Sequence, residues 1–245
     1  RNHNFLDASD QYPGSFEDQT IKRIKIAIDI RYSLLRYMYS RIFEASLNEK
    51  VGFFNPVFFN FPNDPESYQK MDEKAMIGEA FILFPVFTND ISDFEVTFPP
   101  GKWNYYPNGT LLISDRDARN KILSGSLDII HLYMRGGYIV PTQNRSSSIK
   151  NSYYMRMDKK TNLIINPDEN RKANGVLFFD NDDINTIANK QYIRIDLNYE
   201  NYVMKVNSFV SNDFIYKFKD NELGVIEIWG ETIDETNEKT LTCII

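Results

Sequence analysis

The chain has 245 residues, 42% hydrophobic and 14% aromatic, enough to bury a sizeable core in one large domain or two smaller ones. Its net charge is -6, and the absence of any long basic cluster excludes the electrostatic footprint of a nucleic-acid binder. The longest apolar run, AFILFPVF at residues 80–87, falls well short of the ~18 residues of a membrane span, and the lone Cys243 can form no disulfide within the chain.

The chain opens RNHNFLDASDQYPGSF, a loop-like stretch rich in Asp, Ser, Gly and Pro. It starts with Arg1 and has no signal peptide, so the expectation is a processed chain or part of a longer polypeptide. A helix is predicted from after Asp18 to near Asn48, because Leu34, Leu35, Met38, Ile42 and Ala45 fall three or four residues apart. Arg31, Arg36 and Arg41 lie off that stripe. VGFFNPVFFNFP (residues 51–62) reads as a buried aromatic strand. DPESYQKMDEKAMIG (residues 64–78) reads as a second helix, capped by Asp64, with Pro65 in its first position and Gly78 just past its end.

Beyond Gly78 the pattern turns to short strands, punctuated by Pro99-Pro100-Gly101, Asn108-Gly109 and Gly136-Gly137. NRSSSIKNS (residues 144–152) reads as a linker or turn. Later runs such as YIRIDL and VIEIW alternate apolar with polar, the pattern of antiparallel sheets with one wet face. The predicted fold is therefore α/β followed by all-β. Residues 1–78 form closing strand–helix units, and two antiparallel β-sandwiches follow at 79–149 and 150–245.

Few residues carry chemistry on their own. Asp7 and Asp10, and the cluster Asp180, Asp182 and Asp183, read first as turn residues. The cluster could alternatively hold a hard cation, although its spacing matches no calcium loop. His131, inside IIHLYM, reads as structural, and there is no zinc spacing and no serine-type triad. Gly136-Gly137 lacks a phosphate-loop context. Trp103, Tyr105 and Tyr106 read either as a sugar-stacking platform or as core. Asn108 and Asn144 begin the glycosylation sequons NGT and NRS, mild support for a secretory route, lysosome-like or secreted.

Seven stretches in one order resemble the C-terminal part of the family 31 glycoside hydrolases, the α-glucosidase group. They are RNHN with QYPGSF, IRYSLLRYMYSRIFEA, NPVFFNFPNDPES, KAMIGEAFILFPVF, FPPGKWNYY, MRGGYIVPTQ and LIINPDENRKANGVLFFDNDD. The resemblance implies the end of a (β/α)8 catalytic barrel over residues 1–78, then a proximal and a distal β-sandwich. It implies that His3 lines the subsite holding the cleaved sugar, with Arg1, Asn2 and Asn4 behind it, and that no cofactor or metal is needed. Alone, His3 reads as a structural histidine or a loose terminus; the RNHN context favours the sugar site.

Glycoside hydrolysis needs two carboxylates at the scissile bond, and the family's two aspartates lie on earlier barrel strands. A whole barrel takes about 250 residues. The resemblance therefore implies that this chain is not active alone. It would be part of a retaining exo-α-glucosidase acting on terminal α-linked glucose of an oligosaccharide. Its partner would be the N-terminal portion of the same precursor, or a second chain, carrying the rest of the barrel. Departures from the family occur at Tyr12 (usually an aspartate), Arg36 (usually a proline) and Asn55 (usually an arginine). They keep open a catalytically inactive homologue that binds carbohydrate or serves as a scaffold.

Overall fold

The computed structural model describes residues 9–48, 52–88, 91–113, 119–143, 151–180, 185–210, 221–230 and 242–244. Two helices come first, α1 (Asp18–Ser33) and α2 (Leu35–Asn48). The predicted single helix is interrupted at Leu34, whose φ of -95° and ψ of 1° leave the helical range. The Ser33 hydroxyl donates to the Ile30 carbonyl at 2.7 Å and also meets the Tyr106 hydroxyl at 3.1 Å. Such side-chain bonding competes with the helix ladder.

The buried face of α2 is rotated away from the expected stripe. Leu34 is buried, but Ile42 is 49% exposed, while Arg36, Tyr37, Ser40 and Phe43 are buried. The cause is that α2 packs against two sheets rather than one. On one side Tyr37 meets Phe81 edge-on at 5.2 Å and its hydroxyl donates to the Ile77 carbonyl at 2.9 Å. On the other, Phe43 stacks on Phe178 with ring centres 3.5 Å apart, and the Phe178 amide donates to the Ser40 hydroxyl at 3.0 Å.

The predicted aromatic strand shrinks to β1 (Phe54–Asn55), because Pro56 has no N–H for a ladder and instead precedes a short helix, α3 (Val57–Asn60). The predicted second helix is also absent. Residues 64–78 make two 3-10 turns, Pro65–Tyr68 and Met71–Glu73, separated by Lys70 at φ 47°, and then β2 (Ala75–Ile77). Asp64 makes no cap hydrogen bond; its carboxylate pairs with the Arg119 guanidinium. Met76, fully buried, is drawn into the sheet instead of a helix. Gly78 turns the chain toward β3 (Phe81–Leu83) with φ +62°, and a Cβ there would lie 2.3 Å from the Tyr37 hydroxyl oxygen. Only glycine meets both demands.

The remaining strands are β4 (Asp93–Thr97), β5 (Trp103–Tyr105), β6 (Leu111–Ile113), β7 (Asn120–Ser124), β8 (Leu132–Arg135) and β9 (Tyr138–Thr142). After helix α4 (Ser152–Met157) come β10 (Lys160–Asn166), β11 (Lys172–Asp180), β12 (Tyr192–Glu200), β13 (Val203–Val210), β14 (Glu222–Ile228) and β15 (Thr242–Ile244). A six-stranded sheet runs β1-β2-β3-β8-β5-β6, β4 pairs with β7, and a seven-stranded sheet runs β14-β10-β9-β11-β12-β13-β15. Strand pairing crosses positions 78 and 149: β2 pairs with β3, and β9 pairs with β10. The second sheet is not wholly antiparallel, since β14 lies parallel to β10, β11 to β9 and β15 to β13.

Each large sheet has its own apolar core. Phe84, Phe98, Trp103 and Tyr133 anchor one, and Ile139, Leu163, Ile165, Leu197 and Tyr199 the other. A third cluster, including Leu34, Tyr37, Phe81, Met134, Val140 and Ile164, joins them beneath α2. Gly136-Gly137 forms the turn between β8 and β9, as read from the sequence.

Candidate functional site

The predicted sugar-site group, Arg1, Asn2, His3 and Asn4, lies outside the described residues, as do Asp7, Asp182, Asp183 and the sequon at Asn144. The loop that follows it is described. Its Pro13–Ser15 turn is closed by the Ser15 hydroxyl, which donates to the carbonyls of Tyr12 at 2.8 Å and Asp10 at 2.7 Å. Tyr12, in place of an acid, stands 57% exposed beside that turn.

From this loop onward the first part of the chain presents apolar side chains to the outside. Helix α1 runs for 16 residues without one buried side chain, although it carries Ile26 and Ile28, both exposed. Phe54 of β1 is 62% exposed, and Phe59 of α3 is also exposed. Phe58 stacks between Phe59 at 4.9 Å and Tyr68 at 5.0 Å, so rigid aromatic surface continues from α3 into the next turn. A helix with no fully buried side chain, next to a run of exposed aromatics, has the character of an interaction surface.

The other departures are absorbed locally. The Arg36 guanidinium carbon sits over the Phe179 ring, 4.7 Å from its centre, and the side chain donates to the Asp158 carbonyl at 2.6 Å. Burial pulls its guanidinium down to about 10, so it keeps its charge at neutral pH. Asn55 is buried and its amide donates to the Gly52 carbonyl.

His131 is a core residue, as the sequence suggested. Its Nε2 donates to the Ser124 carbonyl at 2.8 Å, which leaves Nδ1 to accept from the Tyr133 hydroxyl at 3.2 Å. Burial lowers its pKa, so the imidazole stays neutral. The sugar-stacking alternative for Trp103, Tyr105 and Tyr106 gives way to the core reading. Trp103 is fully enclosed with its Nε1 donating to the Pro99 carbonyl at 2.9 Å, Tyr106 is buried, and Tyr105 faces Tyr133. Asp180 accepts from the Tyr39 hydroxyl, and no group of three metal-ligating side chains occurs among the described residues. No described helix is long and apolar enough to cross a membrane. Asn108 lies exposed between β5 and β6, its side chain accepting from the Thr110 amide at 3.0 Å.

One group escaped sequence reasoning. Arg41 and Glu44 of α2 connect with Arg194 and Asp196 of β12 in one ionic chain. The signal that could have found it is the alternation in YIRIDLNYE, which places Arg194, Asp196 and Asn198 together on one face.

The β-rich architecture resembles that of solved glycoside hydrolases, a glucosidase II alpha subunit among them. It superposes on the glucosidase II alpha subunit in its Glc1Man2-bound form with a TM-score of 0.80 at 22% identity, covering 93% of this chain and 25% of that one. Residues 51–140 match the glycosyl hydrolase family 31 C-terminal domain. Intestinal sucrase-isomaltase of Homo sapiens is 27% identical over 245 residues, which is 99% of this chain and 13% of that protein. Lysosomal alpha-glucosidase of Rattus norvegicus is 28% identical over 196 residues, 74% of this chain and 20% of that protein. Residues 51–140 thus match the family 31 C-terminal domain, and the chain spans a fifth or less of these two relatives' lengths.

Proposed function

We propose that the chain is the C-terminal portion of a retaining exo-α-glucosidase that removes terminal α-linked glucose from oligosaccharides. Residues 1–78 supply the last units of a (β/α)8 barrel, and the β-sheets brace it. His3 hydrogen-bonds the hydroxyls of the cleaved sugar, with Arg1, Asn2 and Asn4 holding its loop. Both catalytic aspartates come from polypeptide outside this chain. The observation that carries this reading is α1, a 16-residue helix with no buried side chain, in a chain with family 31 relatives. A barrel completed from elsewhere gives that helix its missing core. A secretory location, lysosome-like or secreted, follows from the same reading, with Asn108 and Asn144 as glycosylation candidates; among the described residues, Asn108 lies on an exposed turn.

The test is hydrolysis of a chromogenic α-glucoside by the intact protein, joined to intact-mass analysis of native material. Turnover that drops at least about a hundredfold in His3→Ala, the scale of losing transition-state contacts, supports the assignment. Turnover unchanged by His3→Ala contradicts it. The alternative, an inactive homologue that binds carbohydrate or scaffolds another subunit, is favoured by Tyr12 alone among the three departures. Arg36 and Asn55 have local structural roles. Complete absence of turnover in the intact wild type selects that alternative.

A further inference from the structure

A cleft of about 490 Å³ lies between α2 and the wet face of the seven-stranded sheet, in the size range of small-ligand sites. Strand register builds its floor. Asn174 of β11 lies opposite Asn198 of β12, and Asp196 of β12 lies opposite Asn207 of β13. Helix α2 supplies the wall through Tyr37, Arg41 and Glu44, and Glu79 and Tyr138 close the far side.

Five charges run through the cleft in alternation. Glu79 meets Arg41 at 3.1 Å, Arg41 meets Glu44 at 2.6 Å, Glu44 meets Arg194 at 3.5 Å, and Arg194 meets Asp196 at 2.8 Å. Each group is held from two sides or at the chain's end, so its orientation is set before any ligand arrives. Each also has bonding capacity left, since a carboxylate accepts at about four positions and a guanidinium donates five hydrogens. The exposed amides of Asn174, Asn198 and Asn207 add both donors and acceptors.

This chemistry selects among ligands. Two guanidiniums against three carboxylates leave one net negative charge, which disfavours an anion. No three metal-ligating side chains converge among the described residues, which disfavours a cation. An apolar ligand would strip water from fixed charges without replacing it. A neutral polyol fits, because vicinal hydroxyls donate and accept at the spacing of carboxylate and guanidinium edges. We propose that this cleft binds a neutral oligosaccharide, as an ancillary sugar site on the sheet face. That the sugar is an α-glucan rests on the reading under Proposed function.

Affinity electrophoresis of the intact protein in gels containing soluble starch tests the proposal, with the double variant Asn198→Ala/Asn207→Ala as comparison. Both residues are exposed, so folding is spared. The expected result is retardation of the wild type and about tenfold weaker retention of the variant, the effect of losing two neutral hydrogen bonds. Hydrolysis of a small chromogenic α-glucoside should be the same in both. A wild type that starch does not retard, or a variant retarded equally, overturns the proposal. A wild type that is retarded through these asparagines yet hydrolyses nothing removes the catalytic reading and leaves the sugar site standing.

Discussion

Helices α1 and α2 follow one another with a single residue between them, yet they live in different environments. Helix α2 buries Arg36, Tyr37, Ser40 and Phe43 against two sheets, whereas α1 buries nothing along 16 residues. Helical stability in proteins comes mostly from packing an apolar face, and α2 packs far more of its surface within this chain than α1 does. Its last turn reaches the third core cluster through the half-buried Ile30 and through Ser33, which meets the Tyr106 hydroxyl; its first turns make only exposed polar contacts, Arg23 and Gln19 reaching Asp128 at 2.8 and 2.7 Å. Exposed pairs of this kind contribute little. Under the proposed function, the difference separates a β-rich module that packs on itself from a helix whose outer face a barrel would cover.

The largest test of this contrast is on α2. Phe43→Ala removes a buried ring stacked on Phe178 and should cost about 3–5 kcal/mol in chemical denaturation of the intact protein. A loss under about 1 kcal/mol would show that α2 is not the keystone between the sheets. On α1, the pair Ile26→Asp and Ile28→Asp should lower the stability of the intact protein by more than about 2 kcal/mol, because charges would enter a covered interface. The same pair should be nearly silent if α1 faces water, as it does among the described residues.

A smaller effect of about 2 kcal/mol is expected for Gly78→Ala, from a left-handed backbone and a close approach to Tyr37. Tyr37→Phe should recover part of it by removing the oxygen the new Cβ would strike; no recovery would place the cost in the backbone alone. The smallest effect is on pH dependence. Burial holds the folded His131 imidazole below 6.5, so the unfolded chain binds the proton first as pH falls. Its stabilising hydrogen bonds are fully present above pH 6.5 and lost progressively below it. Thermal denaturation between pH 7 and 5 should therefore be steeper for the wild type than for His131→Gln, and equal slopes would reject a neutral structural imidazole.

Much of this arrangement was legible in the sequence where local pattern and packing agree. The alternation in YIRIDL became β12, with Ile193 and Leu197 inward and Arg194 and Asp196 outward, and Gly136-Gly137 became a turn. Legibility failed where distant residues decide. Ile42 fits an apolar stripe but lies exposed, and Arg36 is buried, because α2 is shared between two sheets whose strands come from far along the chain. Asp64 looked like a helix cap, but Arg119, 55 residues away in sequence, claims its carboxylate. Parallel pairing of β10 with β14 was invisible for the same reason. His3 came from a resemblance in RNHN rather than from spacing, and it lies outside the described residues.

Under the proposed function, the open face of α1 is covered in the intact protein. Maleimide labelling of Ile26→Cys in the intact protein, in a background with Cys243→Ser, measures this directly. Ile122→Cys, at a position 77% exposed on β7, serves as the open reference, and Ile165→Cys, fully buried on β10, as the closed one. A covered α1 makes Ile26→Cys react as slowly as Ile165→Cys. Labelling as fast as at Ile122→Cys would contradict it.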